Sequence, residues 1–200
     1  MLTVMLFSRA MALDLPALLR ETGALLTGHF RLSSGLHSPS YVQCARLLEH
    51  PRNAKAIGEA LAAKLRDAGA SKIVSPALGG VIIGYAVAEA LELPFVFTER
   101  KDGTMTLRRG FQIFDDEPVI IVEDVVTTGK STRETADVIS SHGGRVVAFA
   151  SILNRSGREN PFDQRYESLM SLALDTYDEA RCPSCAAGLP LDAPGSRYSK

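Results

Sequence analysis

Apolar positions along the chain follow two rhythms that take turns. In "PRNAKAIGEALAAKLRDAG" (51–69), Ile57, Leu61 and Leu65 recur every four positions, Pro51 opens the stretch and Gly69 ends it; this predicts a helix. "KIVSPALGG" (72–80) is a short apolar run into a glycine turn and predicts a strand. "VIIGYAVAEALEL" (81–93) predicts an apolar helix, and "PFVFTER" (94–100) a second strand. The unbroken apolar run at 119–122 predicts a central parallel strand with no wet face. A helix at about 131–141, the pair Gly143-Gly144 and the strand "RVVAFASIL" (145–153) follow. Strands separated by helices imply an α/β fold: a mostly parallel central sheet flanked by helices, joined by right-handed crossovers.

The flanks are less regular. Residues 13–28 read as a short amphipathic helix with Pro16 near its beginning. "HFRLSSGLHSPSYVQC" (29–44) is a Ser/Gly-rich turn segment, and "KDGTMTLRRGFQIFDDE" (101–117) is polar and irregular. A strand-like piece at 168–174 precedes a tail rich in Cys, Pro and Gly. There is no repeat and no low-complexity linker, so residues 1–200 are read as one domain.

Composition narrows the class. Apolar residues make up 46% and charged residues 22%, as in an ordinary globular protein. A net charge of −1 argues against a general nucleic-acid binder. Three cysteines make no disulfide framework, so a reducing cytoplasm is expected. No apolar run approaches the roughly 18 residues of a membrane span. In the opening "MLTVMLFSRA" the arginine follows the apolar run, where a signal peptide needs its charge before it. These residues read as an extension, or as a start upstream of Met11.

The chemistry concentrates in "VIIVEDVVTTGKS" (119–131). Glu123 and Asp124 leave the C-terminal end of a central strand, where open α/β sheets bind ligands. Two acids there suit vicinal hydroxyls or a Mg²⁺-bearing ligand. Thr127, Thr128, Gly129, Lys130 and Ser131 then offer hydroxyls, backbone N–H groups and a helix start to an anion. The pattern is not GxxxxGK[ST], and no GxGxxG follows any strand. Acids followed by a phosphate loop suit a sugar phosphate.

This stretch, including Val125 and Val126, resembles the phosphoribosyl pyrophosphate (PRPP) motif of the type I phosphoribosyltransferases. "FRLSSGLHSPSYV" (30–42) resembles the hood segment of the orotate phosphoribosyltransferase family, through Phe30, Leu32, Ser34, Gly35, Ser38 and Tyr41. Ser33 stands where many members have a lysine. The resemblance implies the type I fold, with a small N-terminal hood (mainly 13–45 plus a C-terminal segment) over the C-terminal strand ends. It implies transfer of phosphoribosyl from Mg²⁺-PRPP to orotate, in de novo pyrimidine (UMP) biosynthesis. It also implies a homodimer, with no nucleic-acid or membrane partner.

The resemblance assigns roles as well. PRPP would be held by Glu123 through Ser131 and by the pyrophosphate loop at Gly79 and Gly80, where many relatives carry a lysine in place of Gly79. Arg100 and Lys101 would open a flexible catalytic loop (101–110), donated across the dimer, and would act with Asp124 in catalysis. Arg108 and Arg109 would replace the loop's usual lysine and histidine, although an arginine is a poor proton donor. Thr127 and Arg155 would face orotate; the guanidinium is a planar donor fork that suits a planar anionic pyrimidine. Mg²⁺ would arrive on PRPP, with no direct protein ligand assigned. A purine-type phosphoribosyltransferase and a non-catalytic PRPP-sensing regulator are the alternatives. Cys182 and Cys185 form a CxxC, but only Cys44 remains to complete a four-cysteine site, so a packed turn is expected there.

Overall fold

In the computed structural model, which describes residues 13–32 and 34–194, the Asp14 carboxylate accepts the Ala17 N–H at 2.9 Å and caps α1 (Leu15–Glu21). Ser33 and the opening residues 1–12, with the extension read there, lie outside the described residues. The helix expected over 13–28 is shorter than predicted. Gly23, at φ +62°, cannot continue it, and the leucines beyond belong to β1 (Leu25–Arg31). This strand pairs antiparallel with β2 (His37–Val42), so the turn-rich segment 29–44 is mostly a hairpin. A bulge between Thr27 and Phe30 shifts the register. It lets the consecutive residues His29 and Phe30 both be buried.

The short α2 (Cys44–Leu48) leads to α3 (Pro51–Leu65), where the predicted Ile57, Leu61 and Leu65 are all buried. Then β3 (Lys72–Pro76), α4 (Gly79–Leu91) and β4 (Phe95–Lys101) follow close to the expected bounds. The next segment, expected to be irregular, contains β5 (Thr104–Leu107) in antiparallel pairing with β4. Asp102 and Gly103 join them with φ +51° and +82°. Two successive positive φ values make the tight turn that Asp-Gly favours between strands. The chain continues through β6 (Pro118–Val126), α5 (Lys130–Ser141), β7 (Arg145–Asn154), β8 (Tyr166–Ser171) and α6 (Pro183–Ala186).

The main sheet has the order β5-β4-β3-β6-β7-β8, parallel except at the β4–β5 edge. Its strand residues alternate between two apolar layers. Ile73, Ile120, Val122 and Ile152 join α3 and α4 on one face. Val74, Val119, Ile121 and Phe149 join Ile139 of α5 on the other. The layers rest on close contacts: a Cβ on Gly58 would stand 2.7 Å from the Cβ of Ala86, so α3 and α4 approach nearly backbone to backbone. No helix among the described residues is long and apolar enough to cross a membrane. The outcome is three layers, with β6 central and its C-terminal end facing the β1–β2 hairpin.

Candidate active site

The site forms where β6 ends. Val119, Ile120, Ile121 and Val122 are fully buried, and the strand carries Glu123 and Asp124 to the sheet's C-terminal edge before stopping at Val126. Val125 still pairs with Leu153 and Val126 with Asn154, so both valines fix the strand end. Glu123 is buried and accepts the Asp124 N–H at 3.2 Å; Asp124 accepts the Val125 N–H at 2.8 Å. Burial, and then the neighbouring Asp124 charge, push the Glu123 carboxyl well above the usual carboxylate range. Burial raises Asp124 as well. Two crowded acids of this kind favour a ligand that brings cationic or hydroxyl character.

Gly79 and Gly80 press on this pair. A Cβ at Gly79 would lie 2.8 Å from Asp124 Oδ1, and one at Gly80 would lie 2.9 Å from the Val122 carbonyl and 3.0 Å from Glu123 Oε1. The start of α4 thus meets the acids at a distance that only glycine permits. The α4 N-terminus has no side-chain cap.

The loop after β6 bends at Gly129, whose φ of +70° precedes α5. A Cβ there would meet Arg133 Nη1 at 2.9 Å and the Phe162 ring at 3.0 Å. Thr128 is exposed, and its hydroxyl accepts the Lys130 N–H at 3.4 Å. Thr127 and Ser131 are half-buried, Lys130 is exposed, and α5 has no side-chain N-cap. Exposed and half-buried hydroxyls beside an uncapped helix start are features that suit an anion. Arg133, which sequence reading missed, braces the loop. Its guanidinium donates to the Thr128 and Pro161 carbonyls, both at 2.6 Å, and lies over Phe162. Its position one turn into α5 was the only signal available.

Arg155 follows β7, and its N–H donates to the Val126 carbonyl at 2.7 Å. Its side-chain Nε is buried without a hydrogen-bond partner. Burial lowers its pKa, while Tyr41 and Cys44 nearby favour its charge. Tyr41 in turn is raised by burial and by Asp124, and lowered by Arg155. Tyr41 of β2, the acids and the Arg155 guanidinium thus lie within electrostatic reach of one another. Cys44, not anticipated, is buried in the core nearby, with burial and Asp124 raising its thiol.

Cations around the β4–β5 hairpin, among them the candidate loop cations Arg108 and Arg109, are held by acids of the same chain. Arg108 and Arg109 do not extend as free loop charges: both pair with Glu99, at 3.4 and 2.9 Å, and Arg109 lies over Phe97. The half-buried Glu99 carboxylate draws them back onto the strand. Arg100 pairs with Glu134 on α5 and donates to the Gly103 carbonyl. Among the described residues, Lys101 alone of the four has no ion pair. The CxxC also differs from an isolated packed turn, because His29 and His37 lie against it.

A family model described as Phosphoribosyl transferase domain matches residues 43–178. An orotate phosphoribosyltransferase of Carboxydothermus hydrogenoformans is 49% identical over 187 residues, covering 92% of this chain and 98% of that protein. One of Thermotoga maritima is 48% identical over 183 residues, with the same coverages. Among solved structures, orotate phosphoribosyltransferase from Aeropyrum pernix superposes with a TM-score of 0.66 at 25% identity, covering 78% of this chain and 92% of that one. Sheet order and relatives agree: the chain belongs to the phosphoribosyl transferase family, and within it to the orotate phosphoribosyltransferases.

Proposed function

We propose that this chain transfers a 5-phosphoribosyl group from Mg²⁺-PRPP to orotate, yielding orotidine 5′-phosphate and pyrophosphate in pyrimidine synthesis. The observation that carries this reading is the buried, unpartnered Nε of Arg155, just past β7, whose backbone N–H donates to the Val126 carbonyl where β6 runs into the 127–131 loop. A buried donor without a partner is costly. A planar carboxylated pyrimidine would pair with the terminal nitrogens of this guanidinium, with Thr127 alongside.

In this reading the 5-phosphate lies on Thr127 through Ser131, and Asp124 and Glu123 hold the ribose hydroxyls. Pyrophosphate lies at Gly79 and Gly80. The bond from the anomeric carbon to pyrophosphate breaks as positive charge grows on the ribose, and the orotate nitrogen bonds to the opposite face. The nitrogen's proton leaves to pyrophosphate or water. The protein aligns the partners and stabilises separating charge; no side chain acts as nucleophile. The two raised carboxylates are hard oxygen donors, suited to a ribose that carries Mg²⁺. When bound, Mg²⁺ neutralises part of the pyrophosphate charge.

Residues 13–45 and the C-terminal segment act in this reading as one hood. Its support is the pairing of Phe30 with Asp192 and of His37 with Tyr177. A homodimer, with hairpin 101–110 donated to the neighbouring site, accounts for two further features. Among the described residues Lys101 makes no ion pair, and Leu78, Ile82 and Tyr85, on one face around the start of α4, are 86, 49 and 62% exposed. Such a stripe is the kind of surface that a second copy covers.

The test is PRPP-dependent pyrophosphate release measured with orotate, uracil, adenine and hypoxanthine. Release with orotate alone is expected. Release with adenine or hypoxanthine at a matching rate would move the chain to the purine class, and binding of PRPP without release for any base would make it a sensor.

A further inference from the structure

The reaction leaves one polar cluster unused. His29 of β1, His37 of β2, and Cys182 and Cys185 around α6 direct one ligand atom each at a common point, all within 4.8 Å of one another. Nε2 of His29 is 3.0 Å from Nδ1 of His37, which is 3.2 Å from the Cys185 sulfur. Both sulfurs are 3.6 Å from Nε2 of His29. A tetrahedral ion with bonds of about 2.3 Å to sulfur and about 2.0 Å to nitrogen holds its ligand atoms about 3.3–3.8 Å apart. The cluster already has nearly that spacing. His29, His37 and Cys182 are buried, and Cys185 is half-buried.

The surroundings fit a metal better than a hydrogen-bonded core. Nδ1 of His29 lies 2.9 Å from the Leu189 carbonyl and must carry the proton to bond it. That sets the tautomer and leaves Nε2 with a lone pair aimed at the other three atoms. A backbone carbonyl holding the far nitrogen is the usual outer partner of a metal-bound imidazole. The bulge that buries His29 beside Phe30 supplies its direction.

We propose that His29, His37, Cys182 and Cys185 bind one Zn²⁺ as a closed structural site. Two neutral imidazoles and two thiolates neutralise the dication, and each thiol gives its proton to solvent on binding. Four protein ligands leave no open position for chemistry. Nitrogen and sulfur donors select zinc over Mg²⁺. The ion would join two strands of a hairpin to a tail some 150 positions away, as the 148-residue separation of His37 and Cys185 shows. A two-stranded sheet is marginal alone, so the hood has need of such a staple.

The experiment measures metal content of the full-length chain purified without chelator, and the absorption of protein reloaded with Co²⁺. About one zinc per chain is expected, with the intense visible bands of four-coordinate Co²⁺ and thiolate charge transfer. The Cys182→Ser and Cys185→Ser variants should each lose most of the zinc. Because these variants can misfold, the wild-type chain supplies a second readout. Chelation should lower its melting temperature, and Zn²⁺ but not Mg²⁺ should restore it. Background zinc after incubation with Zn²⁺, weak six-coordinate Co²⁺ bands, or a Cys182–Cys185 disulfide in fresh protein would each overturn the site. None of these readouts depends on which base the pocket accepts.

Discussion

Gly79 and Asp124 meet where α4 begins and β6 ends, so close that a Cβ on the glycine would stand 2.8 Å from the carboxylate oxygen. The absent side chain is therefore part of how the acid is aimed. Gly79→Ala should push Asp124 aside and lower kcat/KM for PRPP by about 10²-fold, the scale of a misplacement near 1 Å, with little change in melting temperature. Gly79→Lys carries the same Cβ but adds an ammonium beside the proposed pyrophosphate, and should regain part of the loss. Steady-state kinetics decide. Full activity in Gly79→Ala would detach Asp124 from ribose positioning, and equal losses in both variants would show that a cation has no place there.

Arg155 offers a sharper test of the base pocket. Arg155→Ala should raise the orotate KM far more than the PRPP KM, because only the pyrimidine loses a fork of donors. Arg155→Lys should recover little, since an ammonium cannot make two parallel bonds. Initial rates over both substrates measure this, and matched KM changes would move Arg155 out of the pocket.

The hairpin can be tested by subunit mixing. One variant carries Arg100→Ala with Lys101→Ala; the other carries Asp124→Asn. If the hairpin serves the neighbouring subunit, each variant is nearly inactive alone, and co-refolded equal amounts recover about a quarter of wild-type activity, from the one-in-four chance that a site draws two sound parts. Arg100 has to leave Glu134 for this to happen, so Glu134→Gln should also change loop closure, seen as a shift in the PRPP KM. Baseline activity after exchange proven by mass spectrometry would assign the hairpin to its own subunit.

Stability has its own test at the opposite end of β3. The buried Lys72 ammonium is 2.8 Å from Glu117 Oε2 and from the Gln112 carbonyl. Lys72→Met leaves the half-buried Glu117 carboxylate without its cation and should cost about 1–3 kcal/mol in denaturant unfolding. Lys72→Met with Glu117→Leu should recover most of that. Burial opposes the Glu117 charge, but Lys72, the Phe114 N–H and Ser71 together hold its carboxyl below the usual range. With a lowered folded-state pKa, the contribution is full above the unfolded carboxylate value of about 4.3 and is lost as pH falls through the folded value. The stability gap between wild type and Lys72→Met should therefore narrow on acidification. A gap independent of pH would remove the pair from the account.

Much of the sheet was legible because its apolar runs are long and single-minded. Val119 to Val122 can only be a doubly covered strand, and the Ile57, Leu61, Leu65 spacing can only be a helix against one face. The phosphate loop was legible for a different reason, since its residues are consecutive. What escaped lies in pairings between distant segments. Leu25 and Leu26 look helical until β2 arrives to pair with them. The Asp102-Gly103 turn was readable and was passed over under the weight of surrounding charge. Arg108 and Arg109 could not be seen to fold back, because Glu99 meets them only once the hairpin closes. Cys182 and Cys185 lacked partners in sequence because His29 and His37 reach them only through the fold.

The bridges from Phe30 to Asp192 and from His37 to Tyr177 also set an order of events in time. The parallel pairs β3–β4 and β6–β7 are each joined by a single-helix crossover and can close early. The β1–β2 hairpin cannot: its His29 ring and the Leu189 carbonyl are separated by 160 positions, a costly loop to close. During synthesis the first hairpin must wait, with its partners missing, until residue 192 has emerged. A nascent chain can thus hold the finished turn at Gly129 while the partners of its first hairpin are still missing.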